Sequence, residues 1–178
     1  ILDTGVDLEH PDLKLVGGYD FGDNDNIPDD VLGHGTACAG IAGAIADNGI
    51  GIAGVAGGCR IMPLKVADSD GYMYFSYIQQ ALYYAANNGV DVVSMSLGAD
   101  ISTDAATETA LEYAYNKGVT LLAATGNYNL SSISYPASSP FVIAVGAADP
   151  CDGRKRSSSL TSELNDGVDP DPNGYTCD

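Results

Sequence analysis

Basic residues are scarce in this chain: 7 Lys and Arg stand against 24 Asp and Glu, for a net charge of −17. A surface of that sign repels phosphate backbones and anionic bilayers, so neither nucleic acid nor a membrane is an expected partner. Long apolar runs are also missing. No stretch approaches the roughly 20 residues that cross a bilayer. The chain opens inside a strand pattern without a Met, and its first residues do not read as a leader. Residues ahead of Ile1, and any export signal with them, are therefore expected to lie outside these residues. Cys38, Cys59, Cys151 and Cys177 contain no C-x-x-C pair, which leaves a zinc cluster unsupported. A Cys151–Cys177 bridge around a polar loop and four free thiols both fit the sequence.

What is present points to a packed domain. The 178 residues are 45% hydrophobic and include 22 Gly, a composition for one domain with a real core. Leu13–Tyr19, Arg60–Val66, Val90–Ser96, Val119–Ala124 and Phe141–Gly146 read as strands, several of them apolar on both faces. Ala37–Ala46 is small and apolar and reads as a helix buried on most sides, ended by Asp47-Asn48-Gly49. Ser76–Asn88 and Thr103–Lys117 have helical spacing, the second closed by Gly118. Alternating strands and helices predict an α/β fold with a mainly parallel sheet and right-handed crossovers. Residues 149–178 are rich in Asp, Ser and Pro and read as a polar loop or insertion.

In parallel sheets the working residues sit beyond the carboxyl ends of strands. Here that rule selects Asp3, Ser96-Leu97-Gly98 and Thr125-Gly126-Asn127, where apolar runs give way to Gly and polar residues. His34 heads the helical run after Gly33. An acid and a histidine so placed are two members of an acid–base–nucleophile relay. The other histidine, His10 in His10-Pro11-Asp12, reads as structural. Cys38 follows His34 by one helical turn, which raises a rival thiolate nucleophile or a Cys38–His34 metal pair. A helix interior more commonly makes such a cysteine a small buried hydrophobe.

Five segments, in order, resemble the subtilisin-like serine proteases: Asp3-Thr4-Gly5 with His10-Pro11-Asp12-Leu13; Gly33-His34-Gly35-Thr36 with Ala39-Gly40; Met95-Ser96-Leu97-Gly98; Ala124-Thr125-Gly126-Asn127; and Tyr135-Pro136-Ala137 with Val142–Ala147. The resemblance runs from residue 1 to about residue 148. It implies the three-layer fold of that family, with helices on both faces of the sheet, truncated at both ends. It makes Asp3 the orienting acid, His34 the general base and Asn127 the oxyanion donor. Ser96, Leu97, Gly98 and Thr125 would hold an extended peptide, with Gly98 keeping the strand surface open. Ala99 and Thr125 replace smaller family residues beside the specificity pocket. Calcium is the implied cofactor, on Asp12, Asn48 and the backbone of Ile50 and Ile52; no organic cofactor is implied. The acidic run from Asp20 to Asp30 reads as solvated loop or a second cation site. Implied partners are polypeptide substrates and the protein's own pro-segment, for a secreted monomer. Tyr135–Pro136 is a candidate cis bond.

The chain departs from the family at the nucleophile. No Gly-Thr-Ser-Met-Ala motif occurs, and Ser157, Ser158, Ser159 and Ser162 have the wrong surroundings. The expectation is therefore a fragment of a serine endopeptidase, inactive alone, whose serine lies elsewhere in the parent protein. A non-catalytic binding domain on the same fold is the alternative, and a calcium-dependent adhesion surface a third reading.

Overall fold

The computed structural model describes residues 1–128 and 130–148. The elements among them alternate as expected. They are β1 (Leu2–Asp3), β2 (Lys14–Leu15), β3 (Tyr19–Asp20), α1 (His34–Gly43), β4 (Arg60–Ile61), β5 (Leu64–Lys65), α2 (Phe75–Asn87), β6 (Val92–Met95), α3 (Ala105–Asn116), β7 (Thr120–Ala124) and β8 (Ile143–Val145). Every ladder between them is parallel. Two three-stranded sheets run β1-β5-β3 and β6-β7-β8, and β1 lies against β6. The fold is α/β.

Two expected strands are broken. Gly17-Gly18, both at positive φ, separate β2 from β3, and Met62-Pro63 separates β4 from β5. Proline has no N–H for a ladder, and β4 and β5 pair with different partners. Helix α1 also departs from expectation. It starts three residues earlier, at His34, and ends at Gly43 rather than Ala46. Only Gly35, Ala39 and Gly43 are buried along it, and Ile41 is exposed. The composition misled because small residues mark close approach on one side, not burial all round.

The core divides into two clusters. Leu2, Leu64, Val93, Met95 and Leu121 from the strands, with Val66 just after β5, meet Ile78, Leu82 and Ala85 of α2 and Leu111 and Ala114 of α3. Ala39 of α1 packs with Val6, Leu13, Ala44 and Ile61 in the second cluster. Helix α3 is capped by Asp104, whose carboxylate accepts from the Thr107 amide at 2.8 Å, satisfying one of the free donors of the first turn. Tyr135–Pro136 is cis. Cys38 and Cys59 are free thiols. Cys151, Cys177, Ser157, Ser158, Ser159, Ser162 and the polar loop read over 149–178 lie outside the described residues.

Candidate active site

Asp3 is the last residue of β1 and is 1% exposed. His34 is the first residue of α1, with its side chain 54% exposed. The two meet: His34 Nδ1 lies 2.6 Å from Asp3 Oδ1, and the Thr4 amide donates to the same oxygen at 2.7 Å. Two glycines permit this approach. A Cβ on Gly35 would run into the Gly5 carbonyl, and one on Gly5, at φ +107, would sit 2.8 Å from the Asp29 carbonyl oxygen. The strand end and the helix start are therefore in backbone contact.

Asp30 locks that contact. Its Oδ1 accepts from Thr4 Oγ1 (2.9 Å) and from the amides of Leu32 (3.0 Å) and Gly33 (2.8 Å). Its Oδ2 accepts from the amide (2.9 Å) and hydroxyl (2.6 Å) of Thr36. Thr4 Oγ1 in turn accepts from the Gly35 amide at 2.8 Å. Burial raises the Asp30 carboxyl pKa, but the donors from Thr36, Gly33 and Leu32 outweigh it, and the group is held below the usual carboxylate range. The sequence reading missed this residue by pooling it with a solvated acidic loop. The available signal was its place three residues before Gly33, where a carboxylate caps the following turn.

Other acids of that loop have protein partners. Asp20 is buried and pairs with Lys65 Nζ at 2.6 Å, with Asp23 at 3.8 Å. Asp25 accepts from the Ile27 amide at 2.8 Å.

Beyond β6 and β7 stand the other candidates. Ser96-Leu97-Gly98 follows β6 directly, and Thr125-Gly126-Asn127 follows β7. Cys38 Sγ, on α1, lies 3.4 Å from Ser96 Oγ and ties the helix to this strand end. Ala99 exchanges backbone hydrogen bonds with Tyr135 at 2.8 and 2.9 Å. Gly98 does more than leave the surface open: a Cβ there would sit 2.9 Å from Ser134 Cβ. A cavity of about 270 Å³ is lined by Thr125, Gly126, Asn127, Ser134 and Gly146, among others. Ser134 was not anticipated; its Oγ would sit 2.6 Å from a Cβ at residue 126, where a φ of +106° already favours glycine. As a rival nucleophile Cys38 is poorly placed, because burial pushes its thiol pKa up and lowers the thiolate fraction.

Asp12, Asn48 and the amides of Ile50 and Ile52 come together in the loop after α1. Asp12 is 2% exposed; its Oδ1 accepts from Asn48 Nδ2 at 2.6 Å and its Oδ2 from the Ile52 amide at 3.0 Å. The Ile50 amide donates to Asn48 Oδ1 at 3.1 Å. Half a turn of the Asn48 amide would set its oxygen beside Asp12 and give up the bond from the Ile50 amide. The carboxylate, that oxygen and loop carbonyls are hard donors of the kind calcium takes. His10 serves the turn itself, its Nδ1 accepting from the Asp12 amide at 3.3 Å.

A sequence-family model described as the Subtilase family matches residues 1–171. The chain belongs to the subtilase family. It is 47% identical to a thermophilic serine proteinase of Bacillus sp. (strain AK1), over 85% of this chain and 38% of that protein. It is 42% identical to thermitase of Thermoactinomyces vulgaris, over 93% of this chain and 60% of that one. The solved structure of sphericase superposes with a TM-score of 0.77 at 36% identity, over 83% of this chain and 52% of that chain. This subtilase chain thus spans less than two thirds of the length of these relatives.

Proposed function

We propose that the protein to which this chain belongs is a serine endopeptidase in which Asp3 and His34 activate a serine supplied from outside these 178 residues. The observation that carries the reading is the 2.6 Å contact between a buried carboxylate and an exposed imidazole at adjoining strand and helix ends. Asp3 holds the proton on His34 Nδ1 and stabilises the imidazolium. Nε2 is left as the base that takes the serine proton and returns it to the leaving amine. Asn127 donates its side-chain amide to the oxyanion as the carbonyl is attacked. The peptide lies extended along Ser96-Leu97-Gly98, and its side chain before the cut bond enters the cavity beside Thr125 and Ser134. Without that serine the chain alone does not cleave. Peptide substrates and export go with this reading; no helix among the described residues is long and apolar enough to cross a membrane.

Turnover of a chromogenic peptide by the full-length protein tests the roles. His34→Ala lowers kcat by about a million-fold and Asp3→Ala by about ten-thousand-fold, magnitudes carried over from subtilisin itself. Asn127→Ala costs about a hundred- to a thousand-fold, again as in subtilisin. Unchanged turnover in any of the three removes that residue from the mechanism.

A calcium ion on Asp12, Asn48 and the carbonyls of Ile50 and Ile52 completes the proposal. Bound there, it supplies charge that holds the loop after α1 in place. It takes no part in the chemistry.

A further inference from the structure

Peptide hydrolysis leaves one carboxylate near the cavity wall unused. Glu108 lies in the first turn of α3, a helix end that favours negative charge. One short segment of the chain engages both of its oxygens. Tyr135 donates its hydroxyl to Oε2 at 3.1 Å, and Ser139 donates to Oε1 at 3.0 Å. The Tyr135 hydroxyl also lies 3.3 Å from the Asp104 carbonyl oxygen. Tyr135 is 1% exposed and Ser139 6%, so bulk water offers neither hydroxyl an easy alternative. Burial, then the bond to Glu108, pushes the Tyr135 pKa up and keeps that proton in place.

The segment so held spaces the ends of β6 and β7. The Ser134 amide donates to the Thr125 carbonyl at 3.0 Å, just past β7. Tyr135 exchanges backbone bonds with Ala99, past β6, at 2.8 and 2.9 Å. Between them the Ser134 side chain occupies the space that a Cβ at Gly98 or Gly126 would enter. Ser134 also lines the cavity of about 270 Å³. The Ser138 amide donates to the Ser134 carbonyl at 3.1 Å, so the turn moves as one piece. Residues 134–139 belong to no helix or strand, and their place depends on these bonds.

We propose that Glu108 is a positioning residue for substrate selection: by anchoring Tyr135 and Ser139 to α3 it fixes the Ser134 wall of the cavity, and with it the room for the side chain before the cut bond. Glu108 touches no substrate and acts through Tyr135 and Ser134. A fixed wall holds a fitting side chain equally in the bound and the reacting state. Its loss therefore appears in KM rather than in kcat. The role in selection rests on the peptidase reading; the anchor does not.

Chromogenic peptides that differ only in the residue before the cut bond (Ala, Leu or Phe) test the role on the full-length protein. Glu108→Ala is expected to raise KM for the Leu and Phe peptides about fivefold, to leave kcat within about twofold, and to lower the Phe-to-Ala ratio of kcat/KM about fivefold. Glu108→Gln keeps an acceptor for Tyr135 and offers Ser139 a donor, so its ratio stays within about twofold of the unmodified protein. Tyr135→Phe removes the hydroxyl, keeps the ring and lowers the ratio as Glu108→Ala does; the double variant falls short of the product of the two single effects. A loss spread evenly over the three peptides, a loss confined to kcat, or an unchanged ratio in Glu108→Ala overturns the role in selection. Should Glu108→Ala fail to fold by circular dichroism, Tyr135→Phe decides on the same ratio. Hydrogen exchange read by mass spectrometry tests the anchor separately. Glu108→Ala is expected to speed exchange over residues 134–139 about tenfold and to leave β1 unmoved. Equal exchange in both proteins overturns the anchor. An unmodified protein that cleaves none of the peptides contradicts the peptidase reading instead, and the exchange rates still decide the anchor.

Discussion

Asp30 shows how much one side chain settles here. It binds donors from Thr4 at the end of β1 and from Leu32, Gly33 and Thr36 around the start of α1. His34 is presented by the turn those bonds define. Hydrogen bonds to a charged acceptor are worth about 1.5–3 kcal/mol, and Asp30→Ala is expected to lose that much in urea unfolding. The pH dependence has a definite sign. The Asp30 carboxyl sits below its ordinary range in the folded protein, so its contribution is complete above that range. It is lost as pH falls through the folded-state value. The unfolding midpoint of Asp30→Ala therefore declines less steeply with acid than that of the unmodified protein; parallel acid limbs contradict the clamp. Of the residues at this site, Asp3 and Asn127 stand out in the sequence because an apolar run stops beside each, and His34 because it heads one. Ser134 does not, because the glycines it approaches come from distant segments; Asp30 was hidden among the other acids of its loop, although its place three residues before Gly33 was a local signal.

At the level of elements, β3 and β5 are joined by charge as well as by their ladder. Lys65 is 5% exposed and its ammonium sits 2.6 Å from the equally buried Asp20. Burial lowers the Lys65 pKa, but the bond to Asp20 and the neighbouring acids more than reverse this, and the lysine is held above its usual range. Lys65→Met strands the Asp20 carboxylate in the interior and is expected to cost about 3–5 kcal/mol by denaturant unfolding. A cost under about 1 kcal/mol contradicts the pairing. The loop after α1 offers a second test at this scale. Chelation of calcium is expected to lower the Tm of the protein, and Asp12→Ala to abolish that calcium dependence; a Tm indifferent to chelator removes the ion from the loop. Helices α2 and α3 were readable to within about two residues because their apolar positions recur at 3.6-residue spacing. The strands were not so readable. Gly17-Gly18 and Met62-Pro63 split runs that hydropathy alone joins, since a continuous apolar run says nothing about a change of ladder partner.

Across the whole molecule, parallel strands put their carboxyl ends to one side, and the candidate residues of β1, β6 and β7 follow from that topology. The α/β class could be read from the alternation of elements, and the family from five short segments in order. The side-by-side placement of β1 and β6 could not, because those strands are far apart in the chain and only the closed core sets them together. The account stands on Asp3 and His34 as a working relay rather than a structural pair. The most direct measurement is labelling of the full-length protein with a serine-directed fluorophosphonate, with and without His34. The account predicts one modified serine in the unmodified protein and loss of labelling in His34→Ala at unchanged fold. No labelling of the unmodified protein, or equal labelling of both, contradicts it.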